Sequence, residues 1–157
     1  MNLSDKRENR DILDLVTFGL FLLLIGVMLI VTPDLLDRGY DFFLDLELRG
    51  LYPNIYLPAP KSDHTILFTA LSQFCFVFAI LHVPILVARF ILKDPADKKA
   101  GTISGLIFWF GAAWIINQFI IMEINWFTFL GYLIALIGAC IVIRNAIFLV
   151  TRPFRKY

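Results

Sequence analysis

Two histidines, two cysteines and one file of polar side chains hold whatever chemistry this sequence can perform. His64 and His82 invite a haem or a metal ion, because imidazole is the commonest metal ligand. They stand 18 residues apart and are the only histidines in the chain. In a helix that separation is ~27 Å at about 1.5 Å rise per residue, so they cannot share one haem or one ion. Cys75, Cys140 and His82 could approach one another, but they lack a fourth ligand and a zinc-binding spacing. Gly-x-Ser-x-Gly, Walker and His-Glu-x-x-His patterns are missing. Asp14 is the carboxylate that directly precedes the first apolar stretch, at its cytoplasmic end. There it can reach water or Arg144, and it is too shallow to be an acid that couples transport. The expectation is a protein with no catalytic residue, no cofactor and no metal.

The polar file is more informative. On a helical wheel of about 100° per residue, His64 and His82 coincide, and Thr65, Thr69, Ser72, Gln73, Cys75 and Arg89 fall within little more than half the circumference. The opposite side is Ile66, Ala70, Phe74, Val77, Leu81 and Ile85. Such a helix has one lipid-like face and one face that needs polar company. Asn117 and Gln118, with Thr128 and Tyr132, stand at matching depth in later apolar stretches. A hydrogen-bonded cluster of His64, Thr69, Ser72, Gln73, His82, Asn117 and Gln118 is therefore expected. Bonds of this kind are worth ~0.6–2 kcal/mol each in a membrane. They either fix helix register or line a small hydrated vestibule for a solute or proton.

The elements that must carry these residues follow from composition. Apolar residues make up 59% of 157, with 16 phenylalanines and only 17% charged residues. Mean hydropathy is +0.78. One water-soluble core could not hide that much apolar surface. A net charge of +1 argues against nucleic acid as a partner. Lipid is the remaining solvent. Four apolar stretches, 15–32, 65–88, 100–122 and 124–143, are each long enough to cross ~30 Å of hydrocarbon as a helix. The first follows Lys6, Arg7 and Arg10 as a signal peptide would. It lacks a small-residue cleavage site and runs into Thr32-Pro33-Asp34, so it reads as a retained anchor.

Lys and Arg gather on the cytoplasmic side of membrane proteins. Of the 14 here, all but Arg38, Arg49 and Lys61 fall in the tail 1–14, the connection 89–99 or the tail 144–157. The fold class expected is therefore an all-α integral membrane protein of the cell membrane, a four-helix up-down bundle with both termini cytoplasmic. Its outer loop, 33–64, shows Leu36, Tyr40, Leu44 and Leu48 recurring every fourth residue beside a row of Asp37, Asp41, Asp45 and Arg49. That pattern predicts an amphipathic helix over about 35–49, ended by Gly50 and Pro53. Its acidity favours a cap on the protein's own spans, or on a partner, over anionic headgroups. Tyr40, Phe43, Tyr52 and Tyr56, the last two in a proline-punctuated segment, suit partner docking.

Small residues mark expected close helix approaches. Gly101 and Gly105 form a GxxxG, while Gly19 and Gly26, like Gly131 and Gly138, are seven apart. Without a deep charge or a catalytic pattern, the sequence favours a non-catalytic accessory, assembly or scaffold subunit. Its partners would be the bilayer and other membrane subunits or further copies of itself. The other reading is a small oligomeric channel or transporter using the polar face of the second span.

Overall fold

The computed structural model describes the backbone of residues 3–151 and the side chains of 12–50 and 53–150. Seven elements follow in order: α1 (Leu3–Val31), α2 (Leu35–Leu44), β1 (Leu46–Tyr52), β2 (Ile55–Pro60), α3 (Thr65–Ile91), α4 (Ala96–Ile120) and α5 (Trp126–Thr151). The segments Ile12–Val31, Thr65–Ile91, Ala96–Ile120 and Trp126–Val150 are long and apolar enough to cross a membrane. At the end away from the hairpin the helices outrun the apolar stretches that announce them, whereas at the hairpin end α4 stops at Ile120 and α5 starts at Trp126, inside the stretches 100–122 and 124–143. Residues 3–14, 89–91, 96–99 and 144–151 are helical where tails and a connection were expected. An apolar run marks the part of a helix that needs lipid, whereas the helix continues wherever its hydrogen bonds and caps allow.

The substantial helix contacts run in a row: α1 on α3, α3 on α4, and α4 on α5, with α2 leaning on the start of α3. The interface of α3 with α4 is built from small and aromatic residues. Phe68, Cys75, Ala112, Ala113, Ile115, Ile116 and Phe129 form the buried core.

Both turns within the row α3–α4–α5 use one device. Leu92 N–H bonds to Ala88 O, Lys93 N–H to Phe90 O at 3.2 Å, and Asp94 N–H to Arg89 O at 3.0 Å. At the end of α4, Met122 N–H bonds to Phe119 O and Glu123 N–H to Gln118 O, both at 3.1 Å. These are Schellman ends. They place Lys93 (φ 55°) and Met122 (φ 59°) in the left-handed region without a glycine, at a modest conformational cost. Pro95 then opens α4, and Asn125 caps α5 by accepting Thr128 N–H on Oδ1 at 2.9 Å.

The loop between α1 and α3 departs from expectation. The helix ends at Leu44 rather than 49, and β1 and β2 pair antiparallel from Leu46↔Pro60 to Tyr52↔Ile55, with a register shift between Gly50 and Tyr52. This hairpin is the one non-helical element among the described residues. Leu46-Glu47-Leu48-Arg49 alternates with a period of two as well as fitting a helical row. Pro53 and Asn54 supply the turn, with Pro at the first central position and φ 70° at Asn54, as a type II turn requires. Pro58 and Pro60 lack N–H donors, which a two-stranded ribbon tolerates because every strand in it is an edge.

The face of α2 that meets the protein also differs. Leu36, Tyr40, Phe43 and Leu44 are exposed, while Leu35, Arg38, Gly39 and Phe42 are partly covered. The covered stripe is shifted because Phe42 inserts between His64, Phe68 and Trp126, with ring centroids 5.3, 5.7 and 6.0 Å away.

Candidate functional site

Polar side chains collect in three places: under the hairpin, on the lateral face of α3 and α4, and at the far end of the helices.

Under the hairpin, Asp45 closes the loop. Its carboxylate accepts Lys61 N–H at 3.1 Å, Ser62 N–H at 2.6 Å, the Ser62 hydroxyl at 3.1 Å and His64 Nε2–H at 3.0 Å. Trp126 Nε1–H donates to Pro58 O at 2.9 Å and ties the hairpin to α5. The Ser62 N–H, then the His64 imidazole, hold the Asp45 carboxyl down to about 2 from an ordinary 3.8. A carboxyl lowered on folding stabilises the fold above its unfolded value and stops doing so as pH falls through its folded value. Hairpin closure by Asp45 should therefore be complete above pH about 4 and lost by pH about 2. Trp126 fluorescence in a Trp109→Phe, Trp114→Phe background should report that transition. Asp45→Asn should open the hairpin at neutral pH, and an unchanged titration in that variant would remove Asp45 from the account.

On the lateral face, Ser72, Gln73 and Asn117 come together. They line a groove of about 420 Å³ walled by Phe76, Phe110, Ala113 and Trp114. The Ser72 hydroxyl donates to Ala113 O at 3.1 Å. Gln73 and Asn117 are exposed, and neither side chain makes a hydrogen bond among the described residues. The rest of the expected cluster is dispersed. His64 belongs to the Asp45 knot, Thr69 makes no side-chain hydrogen bond among the described residues, and Gln118 Nε2–H donates to Glu123. His82 is buried and donates from Nδ1 to Phe78 O at 2.8 Å on its own helix. Its Nε2 faces Gly105, where an added Cβ would meet it at 3.4 Å. Thr128 and Tyr132 are exposed on α5 and do not join the cluster. Hydroxyls in the spans largely return to backbone carbonyls: Thr17 to Leu13, Thr102 to Lys98, and Ser104 across helices to Cys140 at 2.9 Å. Hydrocarbon offers no other acceptor.

At the far end a charged network joins three helices. Arg89 donates to Asp94 at 3.3 Å and to Asp14 at 2.5 Å, and Lys98 also pairs with Asp14. The Arg89 side chain is 6% exposed and that of Asp94 1%. The Schellman end at Lys93 already bonds Asp94 N–H to Arg89 O, so the same pair meets twice, through backbone and through side chains. Asp14 pairs with these cations rather than with Arg144. A signal for this network was present: an Arg five residues before an Asp, across a helix stop at Asp94-Pro95.

Of the glycines expected to pack closely, only Gly105 has a neighbour. An added Cβ would meet open space at Gly19, Gly26, Gly101, Gly131 and Gly138. The tightest position is Gly111, where a Cβ would lie 2.6 Å from Leu136 Cδ1. Of the four docking candidates, Tyr40, Phe43 and Tyr56 are exposed, and the side chain of Tyr52 lies outside the described residues. Cys75 and Cys140 are buried free thiols. Among the described residues no group of three His, Cys, Asp or Glu converges on a point.

Fold and side-chain placement define a class: a multi-pass helical membrane protein with four apolar helices, tied at one end by an Asp45 knot and at the other by ion pairs. Comparison with protein-family models, with curated proteins and with solved structures found no match.

Proposed function

We propose that this protein is a non-catalytic accessory or scaffold subunit that assembles with other membrane-embedded chains. Lys and Arg asymmetry puts both termini in the cytoplasm of a cell-membrane protein and the hairpin outside. One observation carries the reading: two amides, Gln73 and Asn117, open into an aromatic-walled groove on the membrane-facing side of α3 and α4 with no side-chain hydrogen bond among the described residues. A polar group left unsatisfied in hydrocarbon costs several kcal/mol. A partner helix bearing its own amide or hydroxyl removes that cost. The exposed Tyr40, Phe43 and Tyr56 offer a partner further aromatic contacts in the loop outside the bilayer.

The second reading, an oligomeric channel, draws on the same groove, because several copies could turn Ser72, Gln73 and Asn117 toward a shared lumen. Photo-crosslinking from position 114 in intact membranes separates the two. A stoichiometric adduct with a different integral membrane protein is expected. It should fall about tenfold or more in the Gln73→Leu, Asn117→Leu double variant, as loss of two interhelical bonds implies. Adducts with the chain itself, together with solute or proton flux in proteoliposomes, would favour the channel. A chain that forms no adduct at all and is indifferent to both substitutions is no subunit of anything.

A further inference from the structure

The groove between α4 and α5 at the end away from the hairpin is lined by one anion and one cation, Asp97 and Arg144. Two adjoining cavities of about 230 Å³ each run along it and share Ile141 and Arg144. The first holds Asp97, Ala100 and Asn145 beside Arg144. The second continues toward the membrane centre between Gly105, Phe108 and Ile137. Asp97 and Arg144 thus face one cavity, yet no ion pair joins them within 4 Å. In the first turn of α4, Lys98 pairs with Asp14 and Lys99 lies over the Phe90 ring, 4.7 Å from its centroid. An anion and a cation, both exposed and held apart across an open cavity, suit a ligand that carries both signs.

Depth supports the same conclusion. Arg144 lies 18 residues beyond Trp126 on α5, a rise of ~27 Å, close to the ~30 Å of a hydrocarbon core. With Trp126 at one interface, where its amphipathic ring is favoured, Arg144 stands at the phosphate level of the other. Asp97 and Asn145 stand beside it. Below them the groove is apolar: Ser104 is turned away to Cys140 O, and Gly105 presents no side chain, which leaves a trough for a hydrocarbon chain.

We infer that this groove seats one zwitterionic phospholipid with a primary ammonium head group, of the phosphatidylethanolamine class. The phosphate lies on Arg144, whose guanidinium can donate two parallel hydrogen bonds to it. The ammonium lies on Asp97, and an acyl chain runs down the trough past Phe108 and Ile137. The placement needs only that the helices cross a bilayer, and it stands whether or not the protein is a subunit of a larger complex.

The test is native mass spectrometry of the full chain released from nanodiscs containing equal phosphatidylethanolamine, phosphatidylcholine and phosphatidylglycerol. The wild-type chain should retain one phosphatidylethanolamine, about tenfold in excess of phosphatidylglycerol, as one hydrogen-bonded charge pair implies. It should exceed phosphatidylcholine as well, since a quaternary ammonium cannot donate to Asp97. Arg144→Gln should lose retention of all three lipids. Asp97→Asn should keep a lipid but reverse the preference to phosphatidylglycerol. Ile137→Trp, which leaves both charges in place and fills the trough, should also abolish retention, and it decides the matter if Arg144→Gln does not fold. Equal retention of the three lipids by the wild type, or retention unaffected by these substitutions, overturns the assignment.

Discussion

Replacing Arg89 with alanine is expected to destabilise the protein by about 3–5 kcal/mol, the cost of breaking a buried ion pair by removing one partner. The Asp94 carboxylate is almost completely enclosed and would lose the guanidinium opposite it. Asp14, with a side chain 42% exposed, would keep Lys98 and reach solvent. Asp14→Asn alone should therefore cost only ~0–1 kcal/mol, as exposed pairs do. The arrangement is not optimised for stability, because Arg89 Nε is buried without a hydrogen-bond partner. A double replacement, Arg89→Met with Asp94→Leu, should consequently regain most of the loss, since apolar residues of similar volume often match or exceed a buried pair. Unfolding in mixed micelles, followed by far-ultraviolet circular dichroism, gives these differences directly. A loss below about 1 kcal/mol for Arg89→Ala would show that the pair is hydrated and that its enclosure is only apparent. The variant also tests the role of the network in assembly. Arg89 links α1, through Asp14, to the α3–α4 turn, and α1 has few other attachments than its packing on α3. Loss of Arg89 leaves α1 tied to α4 through the Lys98–Asp14 pair and should loosen the α3–α4 turn first, whereas Asp14→Asn removes both ties of α1.

What the sequence made legible follows from the range of the forces involved. Hydropathy is summed over about 20 residues and needs no knowledge of neighbours, so four membrane-length helices could be read directly. Local signals were present at the hairpin as well, but two periods competed. Leu44 and Leu48 fit a helical row and Leu46 and Leu48 a strand, and only the pairing with Ile55–Pro60 decides between them. The polar cluster was legible as a set of residue types and not as a set of partners. Ser72, Gln73 and Asn117 share a groove because α3 and α4 pack side by side, whereas His82 turns to a carbonyl on its own helix, an option open to any helical histidine. The same limit hid the Asp14–Arg89–Asp94 network. Arg89 read equally well as a topology signal, and its pairing depends on a Schellman end formed by Lys93, a residue that does not announce a left-handed conformation. A seven-residue glycine repeat likewise marks one helix face, while close approach needs another helix opposite it, and within this chain only Gly105 of the glycines picked out by spacing has such a neighbour. Gly111 meets Leu136 without belonging to any repeat.

Phe68 carries the second large effect. Its ring lies 4.9 Å from Phe119, 5.7 Å from Phe42, 6.0 Å from Phe129 and 6.3 Å from Trp126. It therefore touches α2, α4 and α5 at once from the first turn of α3. Edge-to-face pairs contribute ~0.5–1.5 kcal/mol each beyond burial, and truncating a buried phenylalanine costs ~3–5 kcal/mol in all. Phe68→Ala is expected near the lower end of that range, about 3 kcal/mol, because Phe68 also borders an open cavity of about 410 Å³ beside Lys61, His64 and Asn125 into which neighbours can relax. Phe68→Leu should cost less, ~1 kcal/mol or slightly more, since most of the volume remains. The comparison with Asp45→Asn separates two ways of holding the hairpin. The Asp45 variant removes polar closure only, so Trp126 should become mobile while the α3–α4–α5 row keeps its unfolding midpoint. Phe68→Ala removes the surface on which Phe42 and Trp126 both rest, so hairpin release and loss of the row should occur in one transition. If Phe68→Ala instead released the hairpin without lowering the midpoint, the aromatic cluster would be a latch on the loop, and the small-residue interface of α3 with α4 would alone account for the stability of the row.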